Sequence, residues 1–292
     1  MRRPPVNREE KKMSALKNTI IAVANQKGGV GKTTTTVNLA QALALTGERV
    51  LVVDLDPQGN ATQGLGVKLD TVTGSVAELI RDRSFPTQSA IYQGQGLDLI
   101  PATPLLARVE RELVGMTNGE MRLALRLRGL EANYSVILID TPPTFGPLMN
   151  SSLNSARKLI VPVDSSFYAM MGIRELLTEV EEIRSATNPG LEVLGFLLTL
   201  VDQTRIADEV CHGLIGSFGK EVFETKIHRN VRLKEAPAFG RTIFHHAPHS
   251  QGATDYMTLA QEVVTRLKGL LDAPHDHCCE PRLSLVEGGT HE

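Results

Sequence analysis

A chain of 292 residues with 41% hydrophobic and 22% charged side chains can bury a sizeable core as one large domain or two small ones. Lys+Arg 31 against Asp+Glu 33 leaves a formal charge of -2, which excludes a global cationic field and confines any polyanion binding to a local patch. Three cysteines (Cys211, Cys278 and Cys279) make no disulfide framework, and with no Trp, 8 Phe and 4 Tyr, platforms for stacking single-stranded bases are scarce.

Residues 1–18 mix Pro, Arg, Glu and Lys without periodicity and read as a flexible arm, with Met13 as an alternative start. The arm lacks the apolar stretch of a secretory signal, and no apolar run reaches the roughly 20 residues that span a bilayer, so the expectation is a soluble cytoplasmic protein. Apolar runs then alternate with helical patterns. Strands are expected at Thr19–Asn25, Arg49–Asp54, Leu97–Pro101, Ser135–Asp140, Lys158–Asp164 and Leu191–Val201. Helices are expected at Thr33–Leu45, Pro147–Ala156, Met170–Ala186, Ala207–Phe218 and Gln251–Leu271. Runs such as Val50-Leu51-Val52-Val53 and Val136-Ile137-Leu138-Ile139 are apolar on both faces, as a parallel strand covered by helices requires. The pattern predicts an α/β doubly wound, mostly parallel sheet with helices on both faces, a single domain over 19–271 and a disordered polar tail over 272–292.

Between the first strand and the first helix stands Gln26-Lys27-Gly28-Gly29-Val30-Gly31-Lys32-Thr33-Thr34. Glycines let successive backbone N–H groups curl around an anion, and the helix N-terminus adds partial positive charge. Lys32 can then reach β- and γ-phosphates, and Thr33 can hold Mg²⁺. The stretch departs from the usual Gly-x-x-x-x-Gly-Lys spacing and carries a second lysine, Lys27, ahead of the glycines. That lysine is either a solvated charge at the loop edge or a cation for the nucleotide of a partner subunit. Two further apolar runs end in acids, at Asp54-Leu55-Asp56 and at Asp140. If the strand continues to Asp56, the first two carboxylates point the same way, one to position water and the other to hold metal-bound waters. Asp140 occupies the carboxyl edge where P-loop enzymes place their Mg²⁺-linked acid.

Four ordered stretches carry a resemblance: Asn25 to Thr35, Asp54 to Thr62 (Asp-Leu-Asp-Pro-Gln-Gly-Asn-Ala-Thr), Asp140-Thr141-Pro142-Pro143, and Asn230 to Pro237 (Asn-Val-Arg-Leu-Lys-Glu-Ala-Pro). Together they resemble the ParA/Soj family of chromosome and plasmid partition ATPases, the deviant-Walker-A class of P-loop NTPases, over about Thr19 to Leu271. The resemblance implies an ATPase that binds ATP and Mg²⁺ and forms an ATP-dependent sandwich homodimer, with Lys27 crossing to the partner's phosphates. It implies P-loop roles for Gly28, Gly29, Val30, Gly31, Lys32, Thr33 and Thr34, a water-orienting role for Asp56, and a water-mediated Mg²⁺ role for Asp140. It further implies double-stranded DNA binding without sequence preference, through basic residues at positions matched by Arg205 and Arg232, and a ParB-like partner that stimulates slow hydrolysis on the nucleoid. Arg229, Lys234 and Lys220 are weaker DNA candidates.

The chain also departs from the family pattern. Ile227-His228-Arg229-Asn230 stands where relatives often have Pro-Arg-Asn, and Met170-Met171 where they tend to have Leu-Glu. A MinD-like membrane helix is not expected, because the tail after Leu271 (Asp272-Ala273-Pro274-His275-Asp276-His277) is polar and broken by proline. Nor does Cys211 alone supply the ligands of an iron–sulfur carrier. The tail group His275, His277, Cys278 and Cys279 has metal-ligand chemistry at poor spacing, and His245, His246 and His249 read as an ordinary polar loop. The alternatives are a ParA-like ATPase that positions another cargo on the nucleoid, or a DNA-binding regulator or scaffold switched by nucleotide.

Overall fold

The computed structural model describes residues 16, 18–94, 96–166 and 169–272. Strands β1 (Thr19–Val23), β2 (Val50–Asp54), β3 (Tyr92–Gly94), β4 (Leu97–Ile100), β5 (Val136–Asp140), β6 (Lys158–Asp164) and β7 (Glu192–Thr199) form one sheet in the order β3-β4-β2-β5-β1-β6-β7. Every pairing is parallel except the β3–β4 edge hairpin. The three apolar runs at the centre of the sheet, β1, β2 and β5, end level with one another: Val23 pairs with Asp140, and Asp140 with Asp54. Their following loops therefore emerge side by side at the carboxyl edge, where doubly wound sheets place ligands.

The helices are α1 (Lys32–Leu45), α2 (Asn60–Gly64), α3 (Val76–Arg81), α4 (Leu105–Leu113), α5 (Arg122–Arg128), α6 (Pro147–Ser155), α7 (Ala169–Ala186), α8 (Arg205–Phe218), α9 (Val231–Glu235), α10 (Ile243–His246) and α11 (Gln251–Asp272). Alternation along the strands divides the core in two. Ile20, Ala22, Leu51, Val53, Ile137 and Ile139 face one layer with residues of α3 to α8, whereas Ile21, Val23, Val50, Val52, Val136 and Leu138 face the other with residues of α1 and α11. Leu16, assigned to the arm by the sequence pattern, is buried in this second layer, so ordered packing starts before Thr19.

The expected strands and helices are present, most with ends shifted by one or two residues. His245 and His246 lie in the short helix α10 rather than in a loop. Residues 57–134, where only one strand was expected, also hold α2 to α5 and β3. Side-chain placement at Met170 and Met171, and the whole His275–Cys279 group, lie outside the described residues. No helix among the described residues is long and apolar enough to cross a membrane.

Candidate functional site

The loop from Ala24 to Gly31 leaves β1 and turns directly into α1. Gly29 (φ 76°) and Gly31 (φ 86°) take left-handed backbone conformations that side chains rarely adopt, while a Cβ at either would meet no crowding. Backbone geometry, not space, therefore demands glycine here. Gly31 is the N-cap of α1, no side chain caps that end, and the first turn carries no acid, so its N–H groups are left for an anion.

Around this cradle the sheet edge collects polar side chains in a buried setting. Thr33 Oγ1 donates to Asp140 Oδ2 at 2.8 Å, and Thr36 Oγ1 lies 3.2 Å from Asp140 Oδ1. Lys32 is only 7% exposed, and its ammonium donates to the Lys27 carbonyl at 3.0 Å. Burial pushes the Lys32 ammonium down from its usual range, opposed by the nearby charges of Asp140 and then Asp56.

The acids behave as one cluster. Burial raises the Asp54 carboxyl to about 6, against hydrogen bonds from Thr62 and from the Asp56 backbone. Burial first, and then the charge of Asp54, push Asp140 well above the carboxylate range. Buried carboxylates that repel one another, beside a threonine hydroxyl, are the oxygen donor set a hard divalent cation stabilises, so Mg²⁺ fits the chemistry of these residues.

The parallel aim expected for Asp54 and Asp56 is corrected, because β2 ends at Asp54. Asp54 instead turns inward, and its Oδ2 accepts from Thr62 N at 2.7 Å and Thr62 Oγ1 at 2.6 Å, tying α2 to the strand end. Asp56 lies beyond the strand, with its Oδ1 accepting from the Gln58 N–H at 3.0 Å. Division of labour between the two follows: Asp54 is occupied by protein donors, and Asp56 is the acid in the turn that follows.

Lys27 is placed differently from Lys32. Its ammonium leaves the P-loop sideways and meets Asp164, the last residue of β6, at 2.7 and 2.9 Å, and Ser166 Oγ at 2.6 Å. Asn25 fixes the root of this excursion, accepting from Lys27 N at 3.0 Å and donating to the Pro162 carbonyl at 2.6 Å. Asp164, Ser166, Thr62 and Thr36 were not singled out by sequence. For Asp164 a signal existed, an apolar run ending in an acid, as at Asp54 and Asp140.

Arg205 and Arg232 are not part of the phosphate site. Arg205 opens α8, and Arg232 lies in the first turn of α9 behind the Asn230 N-cap; both are exposed. The two helices start from adjoining loops, since Val201 bridges to His228 and Arg229 pairs with Asp202 at 2.8 Å. Arg232 itself is paired with Glu235 at 2.9 Å.

A family model described as an AAA domain matches residues 18–193. Among curated proteins, the chain is 47% identical over 249 residues to the chromosome-partitioning ATPase Soj of Thermus thermophilus, covering 85% of this chain and 96% of that protein. It is 43% identical over 251 residues to the chromosome partitioning protein ParA of Myxococcus xanthus, covering 85% and 88%. Among solved structures it resembles a cobyrinic acid a,c-diamide synthase of Mycobacterium smegmatis with bound ADP and magnesium. That match has a TM-score of 0.73 and 33% identity and covers 83% of this chain and 92% of the other.

Proposed function

The chain belongs to the ParA/Soj family of chromosome-partitioning ATPases, and from that premise we propose that it works as an ATP-dependent homodimer on DNA, with a ParB-like partner setting the timing of hydrolysis. In this reading the N–H groups from Gly28 to Thr34 cradle the phosphates, and Lys32 exchanges the Lys27 carbonyl for β- and γ-phosphate oxygens. Thr33 Oγ1 and, through water, Asp140 would hold the Mg²⁺ that accompanies ATP, and the ion would supply positive charge against the negative charge of the phosphates. Asp56 orients the water that attacks the γ-phosphorus, and ADP leaves as the P–O bond to the β-phosphate breaks. Hydrolysis is slow until the partner completes the geometry.

The observation that carries the dimer is the direction of Lys27. A lysine meant for its own nucleotide would lie in the cradle, but this one stands outside it with 37% of its side chain exposed. DNA binding is supported by Arg205 and Arg232 on helices that start from adjoining loops. In the cell the ATP dimer would sit on the nucleoid and carry a chromosome or plasmid, or another cargo using the same matrix. The test is retention on a DNA column of arbitrary sequence with ATP, ADP or no nucleotide, with ATP turnover measured in parallel. ATP-selective retention and turnover that rises with a ParB-like protein support the reading. Equal retention in all three states leaves nucleotide without a switching role and sinks it.

A further inference from the structure

The contact of Lys27 with Asp164 and Ser166 has a consequence for when the dimer forms. We infer that Asp164, with Ser166, latches Lys27 inside its own protomer and so sets the threshold for ATP-dependent dimerisation. The inference rests on the reading of Lys27 as the lysine that serves the partner's phosphates.

Three acceptor atoms surround one ammonium: Asp164 Oδ2 at 2.7 Å, Asp164 Oδ1 at 2.9 Å and Ser166 Oγ at 2.6 Å. All three donors of a lysine are thereby used. Ser166 Oγ also lies 3.2 Å from Asp164 Oδ1, so it orients the carboxylate as well as the ammonium. Asp164 is 18% exposed at the end of a strand buried along most of its length, which makes the pair stronger than a fully solvated one. Both ends of the contact are held. Asp164 is fixed by β6, whose register with β7 places it opposite Thr199, and Thr199 Oγ1 in turn donates to the Val30 carbonyl of the P-loop at 2.8 Å. Lys27 is fixed by Asn25 at its backbone.

An ammonium with its donors spent on one carboxylate cannot at the same time serve a phosphate on another subunit. Release is therefore a step of dimerisation, driven when the partner's nucleotide offers more negative charge than Asp164 does. ATP in the protomer's own cradle leaves the latch intact, because Lys32 and not Lys27 faces those phosphates. A two-fold dimer needs both latches open, so the open fraction enters the dimerisation constant twice. If each protomer is open about one third of the time, opening both raises the dimerisation constant about tenfold. Asp164 is thus a positioning residue that acts through Lys27.

The experiment measures ATP-dependent dimerisation of the full chain by light scattering over a protein dilution series, with nucleotide affinity of the monomer measured separately. For Asp164→Asn we expect the ATP dimer to form at about tenfold lower protein concentration, with unchanged monomer affinity for ATP. Ser166→Ala, which removes one acceptor of three, shifts the midpoint in the same direction by less, and Asp164→Glu restores it toward wild type. The double variant Lys27→Ala/Asp164→Asn should stay monomeric like Lys27→Ala alone, and dimerisation of the double variant would mean that Asp164 acts apart from Lys27 and overturn the latch. If Lys27→Ala fails to dimerise while Asp164→Asn and Ser166→Ala keep the wild-type midpoint, the latch is wrong and the cross-subunit lysine stands. If Lys27→Ala dimerises normally, the reading of Lys27 itself fails, and the latch with it.

Discussion

At the scale of single residues, the site separates acids of one residue type by what already occupies them. Asp54 spends its carboxylate on Thr62 and the Asp56 N–H, and Asp140 receives Thr33 and Thr36, whereas the Asp56 side chain accepts from a backbone N–H of its own turn. Asp56→Ala should accordingly leave ATP binding in place and lower turnover by about 100-fold or more, as losing a water-positioning group does in phosphoryl transfer. A variant with wild-type turnover would move that role elsewhere. Asp54 makes a prediction of opposite kind, about stability. Its folded carboxyl titrates at about 6 against an ordinary 3.8, so the unfolded chain gives up this proton first as pH rises. The nucleotide-free protein then keeps the full contribution of Asp54 below about pH 4 and loses it as pH climbs through about 6. Asp54→Asn should flatten that slope in urea midpoints taken at pH 4.5 and pH 7. Asp140, raised in the same direction, would keep part of the slope.

At the scale of elements, one arginine and one glycine close the seam between β7 and the last helix, beside the apolar face that α11 buries with Tyr256, Leu259 and Val263. Arg266 on α11 donates to the carbonyls of Leu194 at 3.1 Å and Val222 at 2.7 Å, and its guanidinium lies 4.1 Å from the Phe223 ring centroid. Glu262 braces it and accepts the Glu224 and Thr225 N–H groups. The packing is so close at Gly195 on β7 that a Cβ there would stand 2.6 Å from the Phe223 ring, 2.8 Å from the Glu221 carbonyl and 2.9 Å from Arg266. Gly195→Ala must displace backbone as well as side chain, and we expect it to destabilise the fold by about 2–3 kcal/mol in chemical denaturation. A shift within error would mean that α11 moves off without cost. Such couplings explain what was legible in the sequence and what was not. Strands buried on both faces announce themselves as unbroken apolar runs, and the P-loop as glycines between a strand and a helix. The short helices α3 to α5 did not, because each is under ten residues and only one stripe of each is buried, as with Leu106, Val109 and Leu113 on α4. The hairpin strand β3 has two exposed residues of three, so it carries no apolar signal at all. Among site residues, Lys32, Thr33 and Asp140 could be read from spacing. Asp164 could not be paired with Lys27, because that contact joins positions 137 residues apart.

At the scale of the whole molecule, a chain of net charge -2 has to concentrate its cations to hold a duplex, and two of the candidate basic residues already face carboxylates of their own chain. Arg229 is paired with Asp202, and Arg232 with Glu235, which also lies 3.3 Å from His246. Arg232 and Glu235 are both well exposed, so their pair is weak and phosphate can displace the carboxylate, but the carboxylate remains nearby and opposes the incoming charge. In the dimer proposed above the patch would be doubled and its two halves linked, which would make affinity conditional on ATP. DNA affinity comes mainly from counterion release, and each neutralised phosphate adds about 0.9 to the slope of log affinity against log salt. Arg232→Ala, losing one contact per protomer, should therefore weaken the ATP form uniformly across DNA sequences and reduce the slope by about 1.8 per dimer. Arg205→Ala should do the same if its contact is made independently. Glu235→Gln acts in reverse, freeing Arg232 and removing two negative charges per dimer from the face. We expect it to tighten ATP-dependent DNA binding several-fold at constant salt, with no change in ATP affinity, because α9 lies outside the P-loop. A fluorescence titration of duplex DNA at three salt concentrations measures affinity and slope together. Unchanged affinity and slope in both Arg232→Ala and Glu235→Gln would place the DNA on another face of the dimer.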